Sequence, residues 1–385
     1  MLKRRDTLQR LAAGAAGAAA TLAFPALAQN DRSIILGQSA ALSGPAAQLG
    51  IQMNSGARIY FDQLNAEGGV NGRTVKLRAL DDGYEPDRCR ANTETLIKQE
   101  GAFALFGYVG TPTSLAALPL VNAANVPFFG AFTGAEALRE PFSRWVFHVR
   151  ASYYDETELI VRHLTALGLK RIAVFRQNDS YGQAGLDGVL RALTARNLTP
   201  TAVGLVERNS VDVAAAVKAL VTDPPDAVVQ ISAYKSCAAF VRGARKAGYG
   251  GTFHNVSFVG TQALADELGK EAHGVVVSQV MPYPFGTATA IAREYLEAVR
   301  KAGTGGAVGI TPNYSSMEGY VCAKVFTEGL RRAGGSPTRE ALVAALEGMQ
   351  RYDAGGYIVG FGPRSHRGSS FVELSMLSAD GKVKR

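Results

Sequence analysis

A chain of 385 residues, 47% of them hydrophobic and 19% charged, is too apolar for a disordered polymer and long enough to bury two cores. Its net charge of +8 comes without any run of five lysines or arginines, and aromatic residues are not interleaved with basic ones, so nucleic acid is not an expected partner. Cys89, Cys237 and Cys322 lie far apart, and the five histidines show no ligand spacing, which argues against a metal centre or a disulfide framework; no cofactor is expected.

The first element in the chain reads as an export signal. Lys3, Arg4, Arg5 and Arg10 precede an apolar run over 11–24, and Ala26, Leu27 and Ala28 fit a signal-peptidase site. The run is shorter than the ~20 residues that span a bilayer. Arg4 and Arg5 suit the twin-arginine route, whereas Thr7 stands where that signal carries a bulky apolar residue, so both export routes remain open. Cleavage after Ala28 leaves a chain of net charge +5, because the signal carries four basic and one acidic residue.

After it, short apolar runs alternate with segments of helical period. Strands are expected at 34–37, 75–80, 103–106, 128–129, 172–175, 227–231 and 274–280, and helices at 50–66, 87–100, 157–167, 183–197, 212–222 and 237–247. This alternation predicts an α/β fold with parallel, doubly wound sheets. Beyond 280 the rhythm changes to three successive helices at 288–301, 314–332 and 339–349, then strands at 357–360 and 371–377. Helices without intervening strands suggest a return to cover the first lobe.

The stretch GYVGTPTSLAA, residues 107–117, follows a strand and leads into a helix. It lacks the lysine of a phosphate loop, the spacing of a dinucleotide fingerprint and the serine of a nucleophile elbow. Its remaining chemistry is a helix N-terminus with hydroxyls at Thr111, Thr113 and Ser114, which suits a carboxylate or simply caps the helix. VPFFGAFTGAEAL, residues 126–138, repeats the pattern, with Thr133 in place of Thr111. In a parallel sheet the two turns lie side by side at the carboxyl ends of the strands, where open α/β folds bind ligands.

Residues 42–97, NDSYGQAGLDGVL (178–190) and SSMEGYVCAKVFTEGLRRAG (315–334) resemble the branched-chain amino acid (leucine/isoleucine/valine) binding family of ABC-importer substrate-binding proteins. The resemblance covers nearly all of the chain after the signal. It implies two lobes joined by three crossings of a hinge, the first from 29–150 and 280–358, the second from 151–279 and 359–385, closing on a ligand without chemical reaction. It also implies a periplasmic monomer that captures a small carboxylate-bearing ligand and hands it to a membrane permease; a sensor acting through a receptor is the alternative, and a secreted enzyme is disfavoured because no nucleophile or paired-carboxylate motif is present.

By the same resemblance Thr111 and Thr133, with backbone near Gly110 and Ala131, hold the carboxylate. Tyr181 packs across the cleft, Tyr234 and Leu49 line it, and Tyr84 and Tyr108 lie close by. Ser257 stands where amino-acid binders of the family carry the acid that pairs with the ligand ammonium. Serine cannot neutralise a cation, so an acid without an amino group fits as well as an amino acid. Asp155, Glu156 or Glu318 could supply the missing charge, although each read singly is expected as a solvated helix-face residue. Some members have a first-lobe disulfide; Tyr84 and Gly110 occupy those positions, and Cys89 has no evident partner.

Overall fold

The computed structural model describes residues 33–304 and 311–385, so the expected export signal at 1–28 lies outside the described residues. The first half begins β1 (Ile34–Ala40), α1 (Ala47–Ala66), β2 (Val75–Asp81), α2 (Pro86–Lys98), β3 (Ala104–Phe106), α3 (Thr111–Ala124), β4 (Phe128–Phe129) and β5 (Val146–Phe147). These strands form a parallel sheet in the order β2-β1-β3-β4-β5. Helical spacing brings Leu49, Met53, Ala57, Phe61 and Leu64 to the buried side of α1, which is why that segment lies against the sheet.

The chain continues through α4 (Tyr153–Ala166), β6 (Ile172–Gln177), α5 (Ser180–Thr194), β7 (Val203–Val206), α6 (Ala214–Val221), β8 (Ala227–Ile231), α7 (Tyr234–Lys246), β9 (Thr252–Asn255), α8 (Thr261–Leu268) and β10 (Val276–Gln279). Next come α9 (Ala290–Thr304), α10 (Tyr314–Ala333), α11 (Arg339–Glu347) and a small hairpin of β11 (Tyr352–Asp353) with β12 (Ile358–Val359). β13 (Glu373–Leu377) and β14 (Val383–Lys384) complete a second sheet, ordered β14-β13-β10-β9-β8-β6-β7. Its core is parallel as expected, but β13 and β14 add antiparallel to one edge.

The late helix α10 packs along α1. A Cβ on Gly56 would lie 1.8 Å from the Ser316 carbonyl oxygen, and one on Gly319 would lie 2.1 Å from that of Met53. The two helix backbones therefore touch where both side chains are absent.

Strands β5, β7, β9, β11 and β14 and helix α8 were not anticipated from the sequence. Most are short, and β7 is an edge strand whose Val203 and Leu205 face solvent, so its alternation has no continuous apolar run to announce it. The helix that the repeated pattern implies after Thr133 is a single 3-10 turn, Glu136–Leu138.

Three segments carry the chain between the sheets, after β5, after β10 and after β12. They run side by side. The His148 N–H donates to the His366 carbonyl at 3.0 Å, and the Gly368 N–H to the His148 carbonyl at 2.7 Å. The buried Tyr357 hydroxyl lies 3.1 Å from the carbonyl oxygens of both Val149 and Val280, so one side chain ties two crossings together.

Candidate functional site

The two hydroxyl-bearing turns meet at the carboxyl ends of β3 and β4. Val109 pairs with Phe132 beyond the strands, and the Phe132 N–H donates to the Tyr108 carbonyl at 2.7 Å. This register sets the buried Thr111 and Thr133 hydroxyls 2.7 Å apart. Thr113 takes the structural role, donating to the Val109 carbonyl at 2.5 Å and the Gly110 carbonyl at 3.1 Å. Ser114 Oγ is buried with no hydrogen-bond partner among the described residues. Within the turns the Gly110 N–H donates to the Phe132 carbonyl at 3.3 Å, and the Ala131 carbonyl accepts from the Thr133 N–H at 2.9 Å.

Gly110 is required at its position. Its φ is 102°, and an added Cβ would lie 2.3 Å from the Tyr84 ring. Tyr84 and Gly110 therefore touch directly, and all three cysteines are free and buried.

An aromatic wall faces the threonine pair. Asp179 caps α5 through the N–H groups of Tyr181 and Gly182 at 3.0 and 3.2 Å, which fixes the helix start that presents Tyr181. The Tyr181 ring centroid lies 5.5 Å from that of Tyr153 and 4.5 Å from that of Phe258, while Phe132 and Tyr84 lie 5.6 and 5.9 Å from Phe258. Thr133 Oγ1 is 3.3 Å from the Tyr153 hydroxyl, joining the turn to this wall. The Tyr181 hydroxyl is buried and without a partner among the described residues.

The remaining expected residues divide. Leu49 is buried against Gly260, where a Cβ would meet its side chain at 2.4 Å, and the Tyr234 hydroxyl meets the Gln48 backbone, so both bridge the sheets at the edge of the cluster. Tyr108 does not join them. Its ring packs against Phe128 at 5.0 Å and its hydroxyl lies 3.0 Å from Thr93, beneath the first sheet, because its side chain points to the opposite face from the turn.

Ser257 lies in a buried ionic cluster. Arg150, 1% exposed, donates from Nη2 to Ser257 Oγ at 2.5 Å. Ser257 in turn donates its N–H and hydroxyl to Glu156, at 2.7 and 3.0 Å, and Ser278 Oγ adds a third bond at 2.6 Å. Arg150 Nε lies 3.2 Å from Glu318, and the guanidinium stacks over Phe132 at 4.6 Å. Glu156 and Glu318 are thus buried partners of a cation, not solvated helix-face charges: α4 and α10 both turn these residues inward where the crossings meet. Asp155 is spent elsewhere, closing a capping box with Ser152 at the start of α4.

A family model described as periplasmic binding protein matches residues 33–382. The chain belongs to that family. Among solved structures, this binding protein is similar to a possible leucine/isoleucine/valine-binding protein from Rhodopirellula baltica SH 1, at 36% identity and TM-score 0.87, covering 92% of this chain and 96% of that one. A substrate-binding periplasmic protein from Ralstonia solanacearum is 33% identical, with TM-score 0.86, covering 91% and 99% of the two chains. Among curated relatives, Leu/Ile/Val-binding protein homolog 7 of Brucella suis biovar 1 is 27% identical over 391 residues, covering 95% of this chain and 93% of that one. The protein is therefore a type I periplasmic binding protein of the branched-chain amino acid binding group, a solute binder and not an enzyme. The family is one of exported periplasmic proteins.

Reading the binding protein's sequence missed Phe132, Arg150, Tyr153 and Phe258. Phe132 and Phe258 each adjoin a residue singled out, Thr133 and Ser257, so their neighbours were a usable signal. Arg150 and Tyr153 lie in a crossing and at a helix start, and no periodicity marks them.

The cluster makes stability sensitive to pH. Burial and, less strongly, the Glu156 charge outweigh Arg150 and Arg139 and raise the Glu318 pKa to about 7. A carboxyl raised in the folded state stabilises most below its unfolded value, 4.5, and that contribution is lost as pH rises through about 7. Between these values wild type should lose on the order of 2–3 kcal/mol that a Glu318→Gln variant keeps. Melting temperatures of both proteins across that range test this, and parallel curves would place the titration elsewhere.

Proposed function

We propose that this binding protein captures a small carboxylate-bearing ligand between its two lobes and delivers it to an ABC permease. The Thr111 and Thr133 hydroxyls, 2.7 Å apart at the carboxyl ends of adjacent strands, carry the reading. Two aligned hydroxyls beside a helix N-terminus match the two oxygens of a carboxylate. Tyr84, Tyr153, Tyr181, Phe132 and Phe258 offer an apolar body a wall of rings drawn from both sheets. The candidate ligands are branched-chain or other amino acids and aliphatic or aromatic acids. The first test is the thermal shift of the mature protein against such a panel, since a ligand that binds only the folded state raises the melting temperature. No shift with any carboxylate would sink the reading.

Capture proceeds by closure about the three crossings, with Tyr357 as the tie between two of them. A ligand touching both lobes stabilises the closed form by its differential affinity. Polar contacts favour the same state: at the rim Glu85 accepts from Arg208 at 2.9 Å and from Asn209 at 2.7 Å, and deeper in, the buried Gln177 donates to the Tyr84 hydroxyl at 3.2 Å. Glu85 and Arg208 are partly exposed, so Glu85→Ala should cost closure only about 0.5–1 kcal/mol and weaken ligand binding about two- to fivefold. Calorimetry at low and high salt checks this. A larger loss, or one indifferent to salt, would show that Glu85 acts otherwise than as a rim contact.

A further inference from the structure

Resting on the carboxylate reading above, we infer that the ligand carries a second oxygen acceptor at its far end, held by Arg150 in a cavity beside the hinge. Phe132, Arg150, Ser257, Gln279, Tyr314 and Glu318 line this cavity, whose volume of about 10 Å³ takes a single oxygen-sized group. It adjoins the carboxylate turn, because Phe132 precedes Thr133 in the chain and its ring underlies the guanidinium at 4.6 Å.

A guanidinium has five N–H donors and no acceptor. Here Nη2 is satisfied by Ser257, Nε sits at ion-pair distance from Glu318 without a hydrogen bond, and Nη1 is buried with no partner among the described residues. A buried unpaired donor is costly, and an acceptor that reaches it gains the strength of a charge-assisted bond. The other polar atoms leave little for a ligand cation. Both Glu156 oxygens already accept protein hydrogen bonds, and Gln279 is bonded to Thr261 and Ser375. Glu318 remains, but it lies beside the fixed positive charge of Arg150, which repels an ammonium. Its raised pKa adds to this, since a protonated Glu318 is another donor. The cavity therefore presents donors, and the position where related binders would neutralise an ammonium is occupied by the protein's own guanidinium through Ser257.

The ligand class is thus a carboxylic acid with a hydroxyl, carbonyl or second carboxylate at its distal end. Calorimetry compares hexanoate, ω-hydroxyhexanoate, adipate and norleucine on the wild-type protein, with the same comparison carried through shorter and longer chains. The expected result is that an oxygenated acid binds at least about tenfold tighter than the plain acid of equal length. A preference for adipate over the hydroxy acid marks an anionic distal group, and the reverse a neutral one. Arg150→Lys keeps the charge but removes the fork, and should narrow the gap between the oxygenated and the plain acid to about threefold or less. If that variant fails to fold, the wild-type comparison still decides. Equal binding of plain and oxygenated acids overturns the inference and leaves carboxylate capture standing. Tightest binding by norleucine overturns it in favour of an ammonium at Glu318, and no binding by any acid overturns both readings.

Discussion

The double variant Thr111→Val/Thr133→Val is expected to fold with a stability within about 1–2 kcal/mol of wild type and to bind the proposed carboxylate ligand at least about 100-fold more weakly. The two hydroxyls are buried and 2.7 Å apart, so they satisfy each other in the protein. Replacing both with groups of the same shape leaves no orphan between them, although Tyr153 and the Ala135 N–H each lose a contact of 3.3 Å. The ligand loses two hydrogen bonds to a charged group, each worth about 1.5–3 kcal/mol. Stability by denaturant titration and affinity by calorimetry separate the two effects. Unchanged affinity in a folded variant would move the carboxylate site away from these turns.

The largest effect on stability is expected at Arg150. Arg150→Met removes the cation that faces both Glu156 and Glu318 and deprives two buried carboxylates of that counter-charge, which should cost about 3–5 kcal/mol. The cost should depend on pH in a definite direction. Burial works against the Arg150 charge, and Glu318 and Glu156 outweigh it and raise its pKa, so its removal pushes the carboxyls further up. A carboxyl with a raised pKa loses its stabilising contribution as pH rises, so the deficit of the variant should be greatest in mildly alkaline buffer and shrink in acid. Denaturant midpoints for both proteins across that range measure it. A deficit that is constant with pH would mean that Arg150 stabilises by packing against Phe132 and not by charge.

Much of the architecture was legible in the chain. Residues 34–37 and 227–231 are rich in apolar residues because strands β1 and β8 are buried on both faces, and 50–66 carries the period of α1 because that helix buries one side. The two turns with Thr111 and Thr133 could be placed next to each other because consecutive parallel strands pair, as β3 and β4 do. Local pattern carries these features, since each depends on residues close together in sequence.

Local pattern could not foresee what Glu156 and Glu318 do. Each read singly is expected as a solvated helix-face charge, yet they meet Arg150 because the crossings bring α4 and α10 to one point. The partners of Ser257 are likewise 101 and 107 residues away. Tyr108 fails in the opposite sense: it lies two residues from Gly110, but its side chain drops to the other face of the sheet. The sequence by itself determined the α/β alternation, the family and the hydroxyl pair, because apolar period and turn chemistry are short-range. Only the tertiary structure decided which charges are buried, which aromatics form the wall and which donor is left unpaired, because burial and pairing depend on residues that the chain joins over a hundred positions apart.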